Sequence, residues 1–314
     1  MPRSSLDSIL DSMHLVGAAV IGSKATTGQK ESYLVPIAQG KHLTSLALSE
    51  PGSGAHFYFP ETALLRDEGA GYLVKGQKSF VTNGGRADSY VVSTRASDPL
   101  APPDQFSCVM VREGAEGMKW GPSWRGVGMR GNSSCTLDLD GTPVALHDLL
   151  GEEGDQLWYM FQAVAPYFLM AMAGTYLGIA SAALREAIHH LGARQHRHSG
   201  ASLAEVGVLQ HRTGVLWAMV ERTRRFVYHA ATQGDGGADD ALPFILSAKA
   251  EVADCAVTMA NESLTMLGGI GYREGSRSER LLRDARAAHV MAPTTDLLRT
   301  WTGRALLKQP LLGE

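Results

Sequence analysis

Near Pro143 the apolar residues of this 314-residue chain stop alternating in twos and begin to recur at helical spacing. That single change of period divides the fold. Before it, Ser89-Tyr90-Val91-Val92-Ser93 and Phe106-Ser107-Cys108-Val109-Met110-Val111 alternate in the manner of strands. Strand candidates are 44–49, 71–82, 89–95, 106–112 and 135–139, with Gly, Pro and Asp between them. After it, Met160, Val164, Phe168, Met172 and Leu177 open a long apolar helix over 156–191. Further helices are predicted over 203–229, 242–267 and 296–308, with a polar loop at 233–240. Three long helices and a short one, joined by brief loops, predict an antiparallel bundle. Residues 4–22 and 29–39 also carry helical spacing. The expected class is α+β: a short N-terminal helical segment (1–40), a middle antiparallel β-domain (41–148) and a C-terminal antiparallel helical bundle (149–314).

A net charge of −3 gives no electrostatic reason to expect nucleic acid as a partner. Cys108, Cys135 and Cys255 are far apart and form no CxxC pair, which argues for a reducing compartment without a disulfide framework or a zinc site. No apolar run approaches the length of a membrane span. Asp7 and Asp11 interrupt any signal-peptide core. The expectation is a cytoplasmic protein. Eleven histidines invite a metal reading, and His189, His190, His196 and His198 cluster near a helix end. Adjacent helical histidines diverge by about 100° and chelate poorly, so no metal is expected.

Two stretches carry the chemistry. The first, 46–54, reads LALSEPGSG. Pro51 fixes φ, Gly52 and Gly54 let the backbone approach a ligand, and Ser49 and Ser53 add short hydroxyls. The same composition also makes a plain surface turn. The second, 71–85, reads GYLVKGQKSFVTNGG. Its alternation suits an antiparallel strand pair that Asn83-Gly84-Gly85 then breaks. Far downstream, Gly268-Gly269-Ile270-Gly271-Tyr272 follows a long helix. Its glycines clear space for a ligand or simply cap that helix. The block Arg280, Arg283, Asp284 and Arg286 reads as a structural ion-pair network.

Together these stretches resemble the acyl-CoA dehydrogenase flavoprotein family. SEPGSG is similar to its T/S-E-P-G-x-G loop, and GQKSFVTNG to its G-x-K-x-[WF]-[IV]-T-N-G strand. TTGQKESYLVPIAQG resembles the family's link into the β-domain, GVGMRGN the segment before its last strand, and LLGEEG its L-G-x-E-G hinge. GGIGY with ERLLRDAR resembles the family's Gly-rich turn and E-R-x-x-R-D-A-R signature. The resemblance runs from about Leu15 onward, and it makes residues 1–40 a remnant of a longer N-terminal helical domain.

It implies FAD as cofactor and an acyl-CoA or related thioester as substrate. It also implies a homodimer or homotetramer, with a catalytic paralogue as a further partner. Carried over position by position, it implies FAD contacts at Leu46, Leu48, Ser49, Gly54 and Ala55. On the second stretch Phe80, Val81 and Thr82 follow, with the Thr82 hydroxyl toward the flavin N5 edge. In the helical part it implies Arg194, His196, Thr265, Gly268, Gly269, Thr294 and Asp296. The reaction needs a desolvated carboxylate to take the α-proton. The two family positions for that Glu hold Ala292 and Phe168, and the nearest carboxylate is Asp296. The Ala292 N–H would still polarise the thioester carbonyl. Three readings stay open: a dehydrogenase with an unusual or relocated base, a non-catalytic subunit completing a paralogue's flavin site, and a flavin monooxygenase on the same fold.

Overall fold

The computed structural model describes residues 5–67, 71–102 and 104–312, so residue 4 of the expected first helix lies outside the described residues. The chain forms two compact units. One comprises Met1–Gly126 with Arg130–Phe168, the other Val127–Met129 with Leu169–Glu314.

In the first unit, helix α1 (Ser5–Ser23) lies against strand β1 (Thr44–Ala47). Gly17 permits that contact, because a Cβ there would stand 2.9 Å from Thr44 Cγ2. The expected 29–39 helix is a composite of α2 (Thr27–Gln29), a π turn (Lys30–Leu34) and α3 (Val35–Ala38). Thr26 and Gln29 close a capping box at its start. Gln29 is buried, and its amide also donates to the carbonyls of His147 (2.9 Å) and Leu149 (2.7 Å). Tyr33 donates to Asp148 at 2.5 Å. The Gln and Tyr of the QKESY stretch therefore anchor this helix to the far end of the sheet.

Eight strands make two four-stranded sheets. They are β1, β2 (Ala63–Asp67), β3 (Gly71–Val81), β4 (Ser89–Arg95), β5 (Phe106–Arg112), β6 (Met118–Ser123), β7 (Cys135–Ala145) and β8 (Leu149–Leu150). The orders are β1-β4-β5-β8 and β2-β3-β7-β6. All neighbours are antiparallel except β1 and β4, which run parallel. Leu64, Tyr72, Val74, Tyr90, Val92, Val109, Leu137 and Leu139 meet in one core. The 71–82 stretch is a single strand rather than a pair, because β3 finds partners on both edges, β2 and β7. β7 runs six residues past the expected 135–139. The short edge strands β2, β6 and β8 lack a clean alternation and were not expected.

From α4 (Gln156–Trp158) a π turn (Tyr159–Val164) leads into α5 (Ala165–Ala193). Contrary to the expectation of no apolar run, Gln156–Ala193 is long and apolar enough to cross a membrane by length and composition, yet 61% of its apolar window is buried within the protein. Buried Leu169, Met172, Ala173, Tyr176 and Ala180 supply that apolarity.

In the second unit, α7 (Ala241–Leu267) is central. It packs against α6 (Gly207–Asp235), α8 (Arg277–Val290) and α9 (Thr295–Leu306). Small residues at Ala248, Ala250, Ala253, Ala256 and Ala260 allow that crowding. The first residues of the expected 203–229 helix form a separate 3-10 turn, Leu203–Glu205, and α6 instead continues to Asp235. Helix α8 was not expected as a helix of its own. Its apolar face is thin, with Leu281, Ala285 and Ala288 among eight charged or polar neighbours that mask the period.

Candidate functional site

The SEPGSG loop is built around Glu50. Its carboxylate accepts from Thr62 Oγ1 (2.6 Å), Thr62 N (3.1 Å) and Glu61 N (2.7 Å). Ser53 Oγ donates to the Glu50 carbonyl and accepts from the Glu50 N–H, which closes the turn on itself. Ser49 is tied to β3 through Ser79 N, 2.7 Å from the Ser49 carbonyl. Glu50 and Ser53 thus shape the loop and are not free to meet a ligand. Gly54 is left open, with φ +54° and no atom within 4 Å of where a Cβ would stand. Ala55 beside it is half-buried.

β3 ends in an irregularity. Its register with β7 slips between Lys78 and Val81, and Phe80 takes φ +56°. A non-glycine residue in that region is strained, and such bulges re-aim side chains. The slip turns Phe80 outward, 61% exposed, edge-on to Trp124 with ring centroids 5.5 Å apart. Trp124 is itself 40% exposed. The pair is an aromatic ledge held out from the core, and Trp124 was not anticipated from the sequence. Next to it Thr82 is nearly buried, with its hydroxyl 3.5 Å from Ser134 Oγ and its carbonyl accepting from Ser45 Oγ at 2.7 Å. Leu46, Leu48 and Val81 are buried in the core, so only their backbone could face a ligand.

The helical unit carries the remaining residues. Gly268 takes φ +62° and ends α7, its N–H bonded to the Leu264 and Thr265 carbonyls. The Gly-rich turn is therefore a helix cap. It is also open, since a Cβ at Gly268 or Gly269 would meet nothing within 4 Å, and Ile270 (46%) and Tyr272 (78%) are exposed beyond it. Thr265 turns its hydroxyl back to the Asn261 carbonyl, 3.0 Å. Arg194 and His196 lie on an exposed segment, and His196 faces His198 with ring centroids 5.3 Å apart. No group of three or more metal-ligating side chains occurs among the described residues.

Within the signature block, Arg283 pairs with Glu279 at 2.5 Å and donates to the Val127 carbonyl at 2.8 Å. Asp284 is buried and accepts from Met129 N at 2.8 Å. These residues dock the 127–129 segment, and Gly128 has to be glycine there because a Cβ would stand 2.3 Å from the Arg283 carbonyl.

Thr294 caps α9, its hydroxyl accepting from Leu297 N at 3.4 Å. Asp296 is exposed in the first turn of α9. The turn between α8 and α9, Met291-Ala292-Pro293-Thr294, carries no carboxylate. Behind it lies a residue that no motif marks. Lys249 is fully buried, and its ammonium donates to the carbonyls of Ala288 (2.7 Å), Met291 (3.1 Å) and Pro293 (2.9 Å). Burial pulls its pKa down to about 8.

Comparison with known proteins agrees with this arrangement. The family model for the acyl-CoA dehydrogenase middle domain matches residues 45–142, and that for the C-terminal domain matches residues 158–307. An acyl-CoA dehydrogenase of Bacillus subtilis is 32% identical over 283 residues, covering 89% of this chain and 72% of the relative. A cyclohex-1-ene-1-carbonyl-CoA dehydrogenase of Geobacter metallireducens is 31% identical, covering 88% and 72%. The butyryl-CoA dehydrogenase structure from Megasphaera elsdenii superimposes with a TM-score of 0.90 at 27% identity, covering 97% of this chain and 78% of that one. The chain belongs to the acyl-CoA dehydrogenase family of FAD-dependent oxidoreductases.

Proposed function

We propose that this chain oxidises an acyl-CoA thioester with FAD, and that proton abstraction is displaced from the family's usual carboxylate positions. The observation that carries this reading is the strained end of β3, which holds Phe80 and Trp124 out of the core beside the Thr82 hydroxyl. Backbone strain at Phe80 that holds its ring in solvent against Trp124 points to a ligand-facing site. The residues present fit a flavin. Phe80 and Trp124 offer apolar faces, and Thr82 offers a hydroxyl. Ser49, Gly54 and Ala55, with the backbone of Leu46, Leu48 and Val81, are proposed contacts from the β unit. Arg194, His196, Thr265, Gly268, Gly269, Thr294 and Asp296 are proposed contacts from the helical unit. When bound, FAD supplies the acceptor for the β-hydride.

This chain's own residues bind and orient the thioester, the Ala292 N–H donating to its carbonyl oxygen. What the chain lacks is the carboxylate. Ala292 and Phe168 cannot take a proton. Asp296 is exposed to water, whereas this transfer needs a desolvated base. Turnover by the chain alone is therefore slow. The exposed turn Gly268–Tyr272 favours a second reading, in which the chain completes the flavin site of a catalytic paralogue. Assembly as a homodimer or homotetramer is proposed for the chain alone.

The test is a visible spectrum with added FAD, followed by anaerobic titration with a panel of acyl-CoA thioesters. Flavin bands that bleach with one thioester support the dehydrogenase. Flavin that binds and stays oxidised, with bleaching restored only when a catalytic relative is added, supports the subunit reading. Consumption of O₂ by externally reduced flavin without thioester oxidation would move the assignment to a monooxygenase.

A further inference from the structure

We infer that Lys249 is a positioning residue that aims the Ala292 N–H. The inference deepens the proposed thioester site and rests on that reading. Three observations in the helical unit carry it. First, Lys249 is fully buried and, among the described residues, faces no carboxylate in hydrogen-bonding range. All three ammonium hydrogens go to backbone carbonyls, those of Ala288, Met291 and Pro293. A buried cation without a counter-ion costs stability, so its retention calls for a role. Second, the Met291 carbonyl and the Ala292 N–H belong to one planar trans peptide. In such a unit the oxygen and the hydrogen point in opposite directions. Lys249 holds the oxygen, so the hydrogen is held facing away from the interior. Third, the Ala292 N–H has no hydrogen-bond partner among the described residues, so it is free to donate to a ligand.

The two ends of the peptide also reinforce one another. A charge-assisted bond at the carbonyl polarises the amide and makes its N–H a stronger donor in a low-dielectric setting. The next contact, to Pro293, fixes the chain on the other side of Ala292. The loop is thus braced on both flanks of the Ala292 N–H. Lys249 is not assigned as the missing base: its amine is enclosed by the carbonyls of Ala288, Met291 and Pro293, with no side left open to an incoming α-proton.

The test uses Lys249→Met, which keeps the volume and removes the donors. Leu298→Ala serves as a control, because Leu298 is fully buried in α9 and its loss loosens the same bundle without touching the three carbonyls. The first readout is the Ala292 amide resonance of the full chain without substrate. It should shift in K249M and stay within the spread of other loop amides in L298A. The second readout is thioester binding to the FAD-loaded protein, where K249M should weaken the dissociation constant at least tenfold while FAD affinity changes less than twofold. If K249M does not fold, Lys249→Gln, which retains two donors, takes its place with a smaller shift expected. An unmoved Ala292 amide in a folded variant, or unchanged thioester affinity, overturns the inference. A wild-type protein that binds FAD but no thioester sinks the proposed substrate instead, and the amide shift alone then decides the role of Lys249.

Discussion

Lys78 Nζ lies 2.5 Å from Glu50 Oε1, and both side chains are sealed from solvent. Lys78 reaches this point from the middle of β3, also donating to the Ser93 carbonyl at 2.6 Å. The two residues that make SEPGSG and GQKSFVTNG distinctive are therefore partners. They lock the loop to the strand and so set where Ser49, Gly54 and Phe80 stand. Breaking one side of a buried pair leaves an uncompensated charge, which costs about 3–5 kcal/mol. Lys78→Met should lower unfolding stability by that order in urea titrations and abolish FAD retention. A loss below about 1 kcal/mol would mean that the pair is incidental.

The same pair sets an acid limit. Burial alone would raise the Glu50 carboxyl. The Lys78 ammonium and the hydrogen bonds from Lys78, Thr62 and Glu61 outweigh it and hold the group below the usual carboxylate range. A carboxyl with a depressed folded-state pKa gives stability that is present above its unfolded value and is lost as pH falls through the folded one. Stability should therefore fall on acidification below the ordinary Glu range, and Glu50→Gln should flatten that fall. Denaturant midpoints followed from neutral pH downward, wild type against E50Q, measure it. Parallel curves for the two proteins would remove Glu50 from the account.

Much of this fold could be read from sequence because the core strands and helices keep their periods. β4 and β5 fall on their expected bounds, as buried strands with clear polar breaks at each end. α8 was missed because its buried stripe is short and made mostly of small residues, Leu281, Ala285 and Ala288, with Asp284 among them reaching the 127–129 segment. The site was only partly legible for a different reason. Motif residues mark where the chain is constrained, and in Glu50, Lys78, Gln29 and Asp284 the constraint is internal bonding. Lys249 and Trp124 left no local signal, because each acts on residues distant in sequence or across a loop, Lys249 on the carbonyls around Ala292 and Trp124 on Phe80.

Phe80 should show a conflict between stability and binding. Its φ of +56° suits glycine far better than phenylalanine. Phe80→Gly should leave the stability of the cofactor-free protein unchanged or raise it by about 1 kcal/mol. The same variant should weaken FAD binding by about tenfold or more, because an aromatic packing face is gone. Thermal unfolding without FAD and fluorescence titration with FAD give the two numbers. Equal losses in both would mean that Phe80 is an ordinary packing residue.

Lys249 predicts an alkaline signature. Its pKa is pulled down to about 8 by burial. A lysine with a lowered folded-state pKa costs stability while it is charged. Between that value and the unfolded lysine value the unfolded chain binds the extra proton, so stability rises with pH by up to about 1.4 kcal/mol per unit. Against Lys249→Met, wild type should therefore gain relative stability from about pH 8 upward. Paired denaturation curves across that range check the sign, and a relative loss would place the charge in a different environment.

Position 292 gives the most direct test of the proposed chemistry. Ala292 precedes Pro293 in the turn between α8 and α9, and its side-chain position is half-buried rather than packed in the core. Ala292→Glu puts a carboxyl, with room to extend, at the position that the family resemblance assigns to the base. A positioned base contributes about 10²–10⁴ to proton transfer. A292E should therefore raise the rate of anaerobic flavin bleaching by a thioester by at least a hundredfold. With FAD saturating, so that any lost cofactor contact is compensated, Asp296→Asn in the wild-type background should leave that rate within about twofold, because Asp296 is exposed, while lowering stability by about 0.3–1 kcal/mol through the helix dipole. Stopped-flow reduction of the two variants separates the cases. A collapse of bleaching in D296N would make Asp296 the relocated base, and failure of A292E to accelerate bleaching would mean that something other than the carboxyl limits the reaction.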